Sequence, residues 1–227
     1  MAAAVRATTS IALGNRTNTV FTAPAGLANN DILLAIMTCG DGGDQTVPAV
    51  TPPTGFTQLT GFPIAISEAD PYAVGLRAFW KLAASESGNY TFTHGAADSE
   101  GVMYAISGAD ATPINPNPST NTGLGASSVA LGLTTPVNGS LVVLATHVWN
   151  AAGPTSPPTG TTPTFTERYD PGAGGILYVA DGVLATAGAT GDKTLTSANG
   201  PSHKWGATLI CIEAGAAIKR PFLWVIT

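Results

Sequence analysis

The strongest constraint on this chain is that its apolar segments occur twice, in one order, with turn punctuation between them. TPPTGFTQL runs from Thr51 to Leu59 and SPPTGTTPTFTER from Ser156 to Arg168. The same Pro-Pro-Thr-Gly unit thus recurs 105 residues apart, each time before a Thr-rich segment that carries a Phe. Paired prolines restrict the backbone and a glycine releases it, so the motif reads as a turn rather than a ligand loop. Upstream, FTAPAGL (Phe21 to Leu27) matches LTTPVNG (Leu133 to Gly139), and NNDILLAIMT (Asn29 to Thr38) matches VNGSLVVLAT (Val137 to Thr146). Downstream, VGLRAFWKLA (Val74 to Ala83) matches GGILYVADGVLA (Gly174 to Ala185), and SGNYTFT (Ser87 to Thr93) matches TGDKTLT (Thr190 to Thr196). SEGVMYAISGAD (Ser99 to Asp110) closes the first set as HKWGATLICIEAG (His203 to Gly215) closes the second. Six ordered matches at offsets of about 100 to 116 mean an internal duplication, not a solenoid or propeller repeat of 20 to 50 residues.

Helical periodicity is scarce, because Gly, Pro, Asn or Thr interrupts almost every candidate window. Even GLRAFWKLAASES, Gly75 to Ser87, alternates at its front, with Leu76, Ala78, Trp80 and Leu82 on one side, and reads as a strand. The expected fold class is therefore all-β: a two-sheet antiparallel sandwich of jelly-roll type built from two pseudo-repeated halves, residues 10–110 and 128–215. Two separate small sandwiches would each have a small core and open edges, whereas interleaving the halves covers the central strands. A single domain over 1–215 follows, with Asp110 to Ser127 as a Pro/Asn/Gly-rich connection.

Composition narrows the function classes. Only 10% of residues are charged, the net charge is −5, and the nine Lys and Arg are scattered singly, so no basic footprint for nucleic acid exists. Apolar runs such as Ile32 to Met37 and Leu141 to Ala145 are far short of the roughly 20 residues that span a bilayer, and MAAAVRATTS lacks the apolar stretch of a secretory signal. No membrane partner is expected. Cys39 and Cys211 lie in apolar runs and read as two reduced, buried thiols, with a disulfide as the alternative.

No chemical signature emerges. Asp41 and Asp44 in GDGGDQ lack the ligand spacing of a calcium loop and suit a turn tip. His94, His147 and His203 lie in separate segments without metal-ligand spacing. Gly-x-Ser-x-Gly and phosphate-binding loops are absent. Glu68, Asp70, Asp98, Glu100, Glu167 and Asp170 offer carboxylates, but sequence spacing places no two of them across a cleft. The Asn-x-Ser/Thr triplets at Asn15, Asn89 and Asn138 read as turn chemistry. No catalytic residue, metal site or cofactor is assigned, and the chain reads as non-enzymatic.

Aromatic residues are the remaining handle for binding. Trp80 and Trp205 sit in alternating segments and read as core. Trp149 and Tyr169 fall beside Gly/Pro-rich loops and are the candidate surface-ligand contacts, with packing at the rim of the core as the other reading. The last segment, AIKRPFLWVIT, concentrates Phe222, Leu223, Trp224, Val225 and Ile226, which left in water would form a sticky patch. Residues 216–227 are therefore a candidate docking segment, placed back on the sandwich edge or on a neighbouring subunit by strand addition.

Several motifs resemble β-sandwich proteins encoded among the virion structural genes of tailed bacteriophages. They are the Pro24 to Ala35 stretch containing Asn-Asp-Ile-Leu-Leu-Ala, Pro-Pro-Thr-Gly-Phe-Thr (Pro52 to Thr57) and Arg-Ala-Phe-Trp-Lys (Arg77 to Lys81). Ser-Gly-Asn-Tyr-Thr-Phe (Ser87 to Phe92) and the Val102 to Asp110 segment complete the set. The resemblance spans residues 10 to 215 and rests on turn and core patterns. It implies a head decoration protein, head fibre or spike, or tail-associated protein, located in the virion. Its implied partners are other virion proteins, further copies of itself and host surface glycans. The competing expectation is a carbohydrate-binding sandwich module of a cellular protein, with Trp149 stacking on sugar; a sandwich-fold glycan hydrolase or lyase comes third.

Overall fold

A computed structural model describes residues 1–41, 46–67, 72–115, 117–148, 158, 161–172, 176–196 and 203–215. Its first half contains β1 (Ala4–Thr22), β2 (Ile32–Asp41), β3 (Thr57–Gln58), β4 (Ile64–Ser67), β5 (Ala73–Leu82) and β6 (Asn89–Ser107). The second half contains β7 (Ala109–Ile114), β8 (Ser119–Leu124), β9 (Ser127–Ala130), β10 (Thr134–Thr135) and β11 (Ser140–Val148). It continues with β12 (Thr166–Tyr169), β13 (Leu177–Leu184), β14 (Gly188–Ala189), β15 (Lys193–Thr196) and β16 (Lys204–Ala214). Two six-stranded antiparallel sheets result, ordered β1-β6-β2-β5-β3 with β4 also on β5, and β12-β13-β11-β16-β7 with β8 also on β16. The all-β, two-sheet antiparallel sandwich is as expected.

The halves contribute to it differently from the expectation. They do not interleave; each half builds one whole sheet. The connection from Asp110 to Ser127 is also not a bare linker, because it forms β7 and β8, which extend the second sheet beyond β16 as β1 extends the first beyond β6.

The central strands are buried on both faces, which is why they read as unbroken apolar runs. Ile32, Leu34 and Ile36 of β2 join Leu141, Val143 and Ala145 of β11 in a core shared between the sheets. The alternate residues Leu33, Ala35 and Met37 belong to a second core made only of first-half residues, and Val142 and Leu144 to a third made only of second-half residues. In the first half, β1 and β6 provide the cover. Register shifts at Ile11/Gly14 and Arg16/Asn18 bend their ribbon over the sheet. The bend brings the Thr9 hydroxyl to the Thr22 carbonyl at 2.8 Å. Tyr90 and Phe92 thereby reach Phe56, and Phe92 also reaches Phe79, with ring centroids 5.2–5.5 Å apart, while Phe21 stands edge-on to Phe92 at 5.8 Å. In the second half, paired β9 and β15 do the same, with Leu195 and Phe165 beneath them.

The pairings fix which residues are equivalent. Ile32 pairs with Leu82 and Ile106, while Leu141 pairs with Val183 and Ile212. Thr57 pairs with Trp80, and Thr166 with Asp181. Ile32 therefore stands where Leu141 stands, Ile106 where Ile212 stands, and Trp80 where Asp181 stands. Counting back along the strands makes Thr38 equivalent to His147 and Glu100 to Gly206.

Cys39 and Cys211 are both buried, and neither is in a disulfide. They lie in different private cores, which rules out the disulfide alternative, and burial pushes the Cys211 thiol up to about 11.

Candidate functional site

The chemistry-bearing side chains that the fold gathers lie where the halves meet, at one end of the sandwich. Asp41 pairs with Ala73, Gly40 with Asp98, His147 with Leu177 and Val148 with Trp205, so these strand ends share that end. Met1 and Gly215 lie at the other, where the amino group of Met1 donates to the Gly215 carbonyl at 3.1 Å.

Glu100 is the centre of the group. It projects from β6 into the second half, fully buried, and Oε1 accepts the N–H groups of Ile176 and Leu177, both at 2.8 Å. Oε2 lies 2.9 Å from the Tyr169 hydroxyl, which is also 3.0 Å from the Ile11 carbonyl. Burial pushes the Glu100 carboxyl above its ordinary value, while the hydrogen bonds from Ile176, Tyr169 and Leu177 pull it down. The proton count points the same way as burial: one phenolic proton faces two acceptors. A protonated Glu100 would donate to the Tyr169 oxygen and leave Tyr169 to donate to Ile11, satisfying every group. The result is a strut between halves rather than an exposed acid.

Tyr169 requires a correction: it does not face outward as a surface-ligand contact but is 7% exposed and part of the shared core. The cause is a register shift between Glu167 and Tyr169, which turns Tyr169 inward opposite Val179. Next to it, Arg168 grips Asp181 through two hydrogen bonds of 2.5 and 3.1 Å, and the Tyr104 phenol of the first half packs beside the pair.

His147 is paired with Gly206, the residue equivalent to Glu100 across the pseudo-symmetry. Its ring fills the space left by Gly206, where an added Cβ would meet the His147 Cε1 at 2.4 Å. It is fully buried and neither ring nitrogen has a partner in good geometry. Burial pushes it down to about 4, the backbone of Gly206 and Val74 pulling weakly the other way.

A third cluster has the parts of a nucleophilic relay. The Thr19 hydroxyl lies 3.0 Å from His94 Nε2 and 2.8 Å from Ser99 Oγ, while His94 Nδ1 is 2.7 Å from the Gly95 carbonyl. The Gly95 carbonyl only accepts, so Nδ1 donates to it. Thr19 and Ser99 are completely buried in the bend of β1 and β6, so no substrate carbonyl reaches either oxygen in this arrangement. The chain of hydroxyls satisfies polar groups inside the bend.

Of the other sequence candidates, Trp149, Phe222, Leu223, Trp224, Val225, Ile226, Asp44, Glu68 and Asp70 lie outside the described residues. Trp205 is core as expected, and Trp80 is half-buried against the shared core. Among the described residues no group of three His, Cys, Asp or Glu side chains is placed to hold a metal ion, and no helix is long and apolar enough to cross a membrane. Sequence reasoning left Glu100 as one acid among many and missed its bridging role; the only signal was a Glu inside a strand otherwise apolar from Gly101 onward.

No protein-family model, curated protein sequence or solved structure matches the chain.

Proposed function

We propose that the chain is a non-enzymatic structural component of a bacteriophage virion: a capsid decoration, head fibre or spike, or tail-associated protein. The motif resemblance motivates this reading, and the two-ended layout of the body supports it. The described strand ends flanking residues 42–45, 68–71, 149–157, 173–175 and 197–202 share one end. The chain reaches Gly215 at the other, held beside Met1 and Gly108. A body of this kind attaches through the terminal end, with Phe222 to Ile226 as the docking residues, and presents the opposite end outward. The buried polar clusters fit the same reading, since each ties strands or halves together.

Mass spectrometry of purified particles from a producing host tests the proposal: the protein should co-purify at fixed stoichiometry with the major capsid or tail proteins. Deleting Lys219 to Thr227 should abolish incorporation and leave the fold intact. A protein absent from particles would overturn the virion reading, and normal incorporation of the truncated chain would overturn the docking role of the segment.

A further inference from the structure

The junction between the halves occurs twice by pseudo-symmetry, and its two copies differ. On one side Glu100 and Tyr169 close the seam, with Tyr169 reaching Ile11 on β1. On the other side Gly206 stands in the place of Glu100. Leu59, whose N–H bonds Ala78 as Tyr169 pairs with Val179, stands in the place of Tyr169. Asn121, paired with Ala207 as Ile11 is paired with Gly101, stands in the place of Ile11. Both bridging side chains are therefore missing from the second seam; the His147 ring and Ile64 fill the space at Gly206 itself, and a groove lies alongside.

That groove runs between β4 and β8 as adjoining hollows of about 400 and 320 Å³. A second cleft of about 220 Å³, with none of the same lining residues, lies beside Trp80. Trp80 packs against the shared core and also lines the cleft, together with the exposed Thr112 and Asn117. Thr120 and Thr122 line the groove farther along, and Lys204 is the one charged residue among the described residues lining the three hollows.

We propose that this seam binds a neutral oligosaccharide, with one sugar ring against Trp80, its hydroxyls served by Thr112 and Asn117, and another unit of the chain against the β8 threonines. An indole presents a large flat apolar surface with an N–H at its edge, matching a sugar ring that has an apolar face and a hydroxylated perimeter. Neutral hydroxyl and amide groups around it suit a neutral glycan, whereas a phosphorylated or sialylated one would need several cations. The site gives a place to the glycan contact raised above as part of the virion reading. Its test is separable: a chain that enters particles but binds no sugar keeps the virion reading and removes this one.

The experiment is titration of the full chain with neutral hexasaccharides of glucose, mannose, galactose and N-acetylglucosamine, reading indole N–H signals by NMR and affinity by calorimetry. At least one should shift the Trp80 indole signal. Thr112→Glu, an exposed change, should weaken that binding at least tenfold, while Thr91→Glu, exposed on the first half away from the cleft, leaves it unchanged. Failure of all four sugars to move the Trp80 signal, or binding indifferent to Thr112→Glu, overturns the proposal. A shift of Trp80 by a synthetic peptide of residues 216–227 and by no sugar would make the groove a strand-docking site, and overturns it equally.

Discussion

Asn29 and Asn138 do the same work in the two halves: the Asn29 side-chain carbonyl accepts the Ser85 N–H at 2.6 Å, and that of Asn138 accepts the Ala187 N–H at 2.7 Å. Each bond ties the turn before a central strand, β2 or β11, to the turn after its neighbour, β5 or β13. Retention of one hydrogen bond at matched positions makes the duplication structural, beyond a shared preference for apolar runs.

Asn29→Ala and Asn138→Ala should each cost about 0.5–1.5 kcal/mol, the usual net worth of one such bond. The sites are far apart without shared partners, so the double variant should lose the sum of the two. Urea unfolding of the three variants checks this; loss from only one site would mean the turns are not equivalent.

The equivalence also shows what sequence could and could not convey. Aligning NNDILLAIMT with VNGSLVVLAT places Leu33 against Leu141, yet Leu33 faces the private core of its half and Leu141 the shared one. The true partner of Leu141 is Ile32, one residue away. A strand buried on both faces has no alternation to set its phase, so the pattern disclosed a strand without its register. The all-β class was legible from apolar runs and turn residues. The bend that makes Asn89–Ser107 one strand was not, because Ser87 to Thr93 and Ser99 to Asp110 read as separate segments. Tyr169 was misplaced for a related reason: a local bulge reverses which face a residue takes.

Glu100→Ala should cost roughly 3–5 kcal/mol, because it leaves two buried N–H groups and a phenol without a partner. Glu100→Gln keeps the oxygen for Ile176 and Leu177, and its amide donates to Tyr169 as a protonated acid would. It should cost no more than about 1.5 kcal/mol. Equal losses in chemical denaturation would mean that Glu100 acts as a carboxylate.

His147 makes stability depend on pH. Its folded value, about 4, lies below the ordinary 6.5, so the unfolded chain takes up the proton first. The contribution is whole above pH 6.5 and is lost as pH falls towards 4, to a limit of roughly 3 kcal/mol. Glu100 acts oppositely: raised above 4.5, it stabilises in acid and weakens the fold as pH rises through its folded value. Unfolding free energy measured from pH 4 to 7 should rise in the native chain, and the rise should shrink in His147→Leu.

Gly206→Ala drives a Cβ into the His147 ring and to 2.8 Å from the Ile64 side chain, a cost of about 1–3 kcal/mol. Adding His147→Ala to Gly206→Ala should recover part of it, since the ring is the nearer obstacle. A double-mutant cycle with no coupling energy would show that the ring does not fill the space at Gly206.

The central claim is that two halves with private cores are held as one body by a shared core and by Glu100. Scanning calorimetry of the full chain tests it most directly. One cooperative transition is predicted, with calorimetric and van't Hoff enthalpies equal, moved to lower temperature as a single peak by Glu100→Ala. Two resolved transitions in the native chain, one for each half, would contradict it.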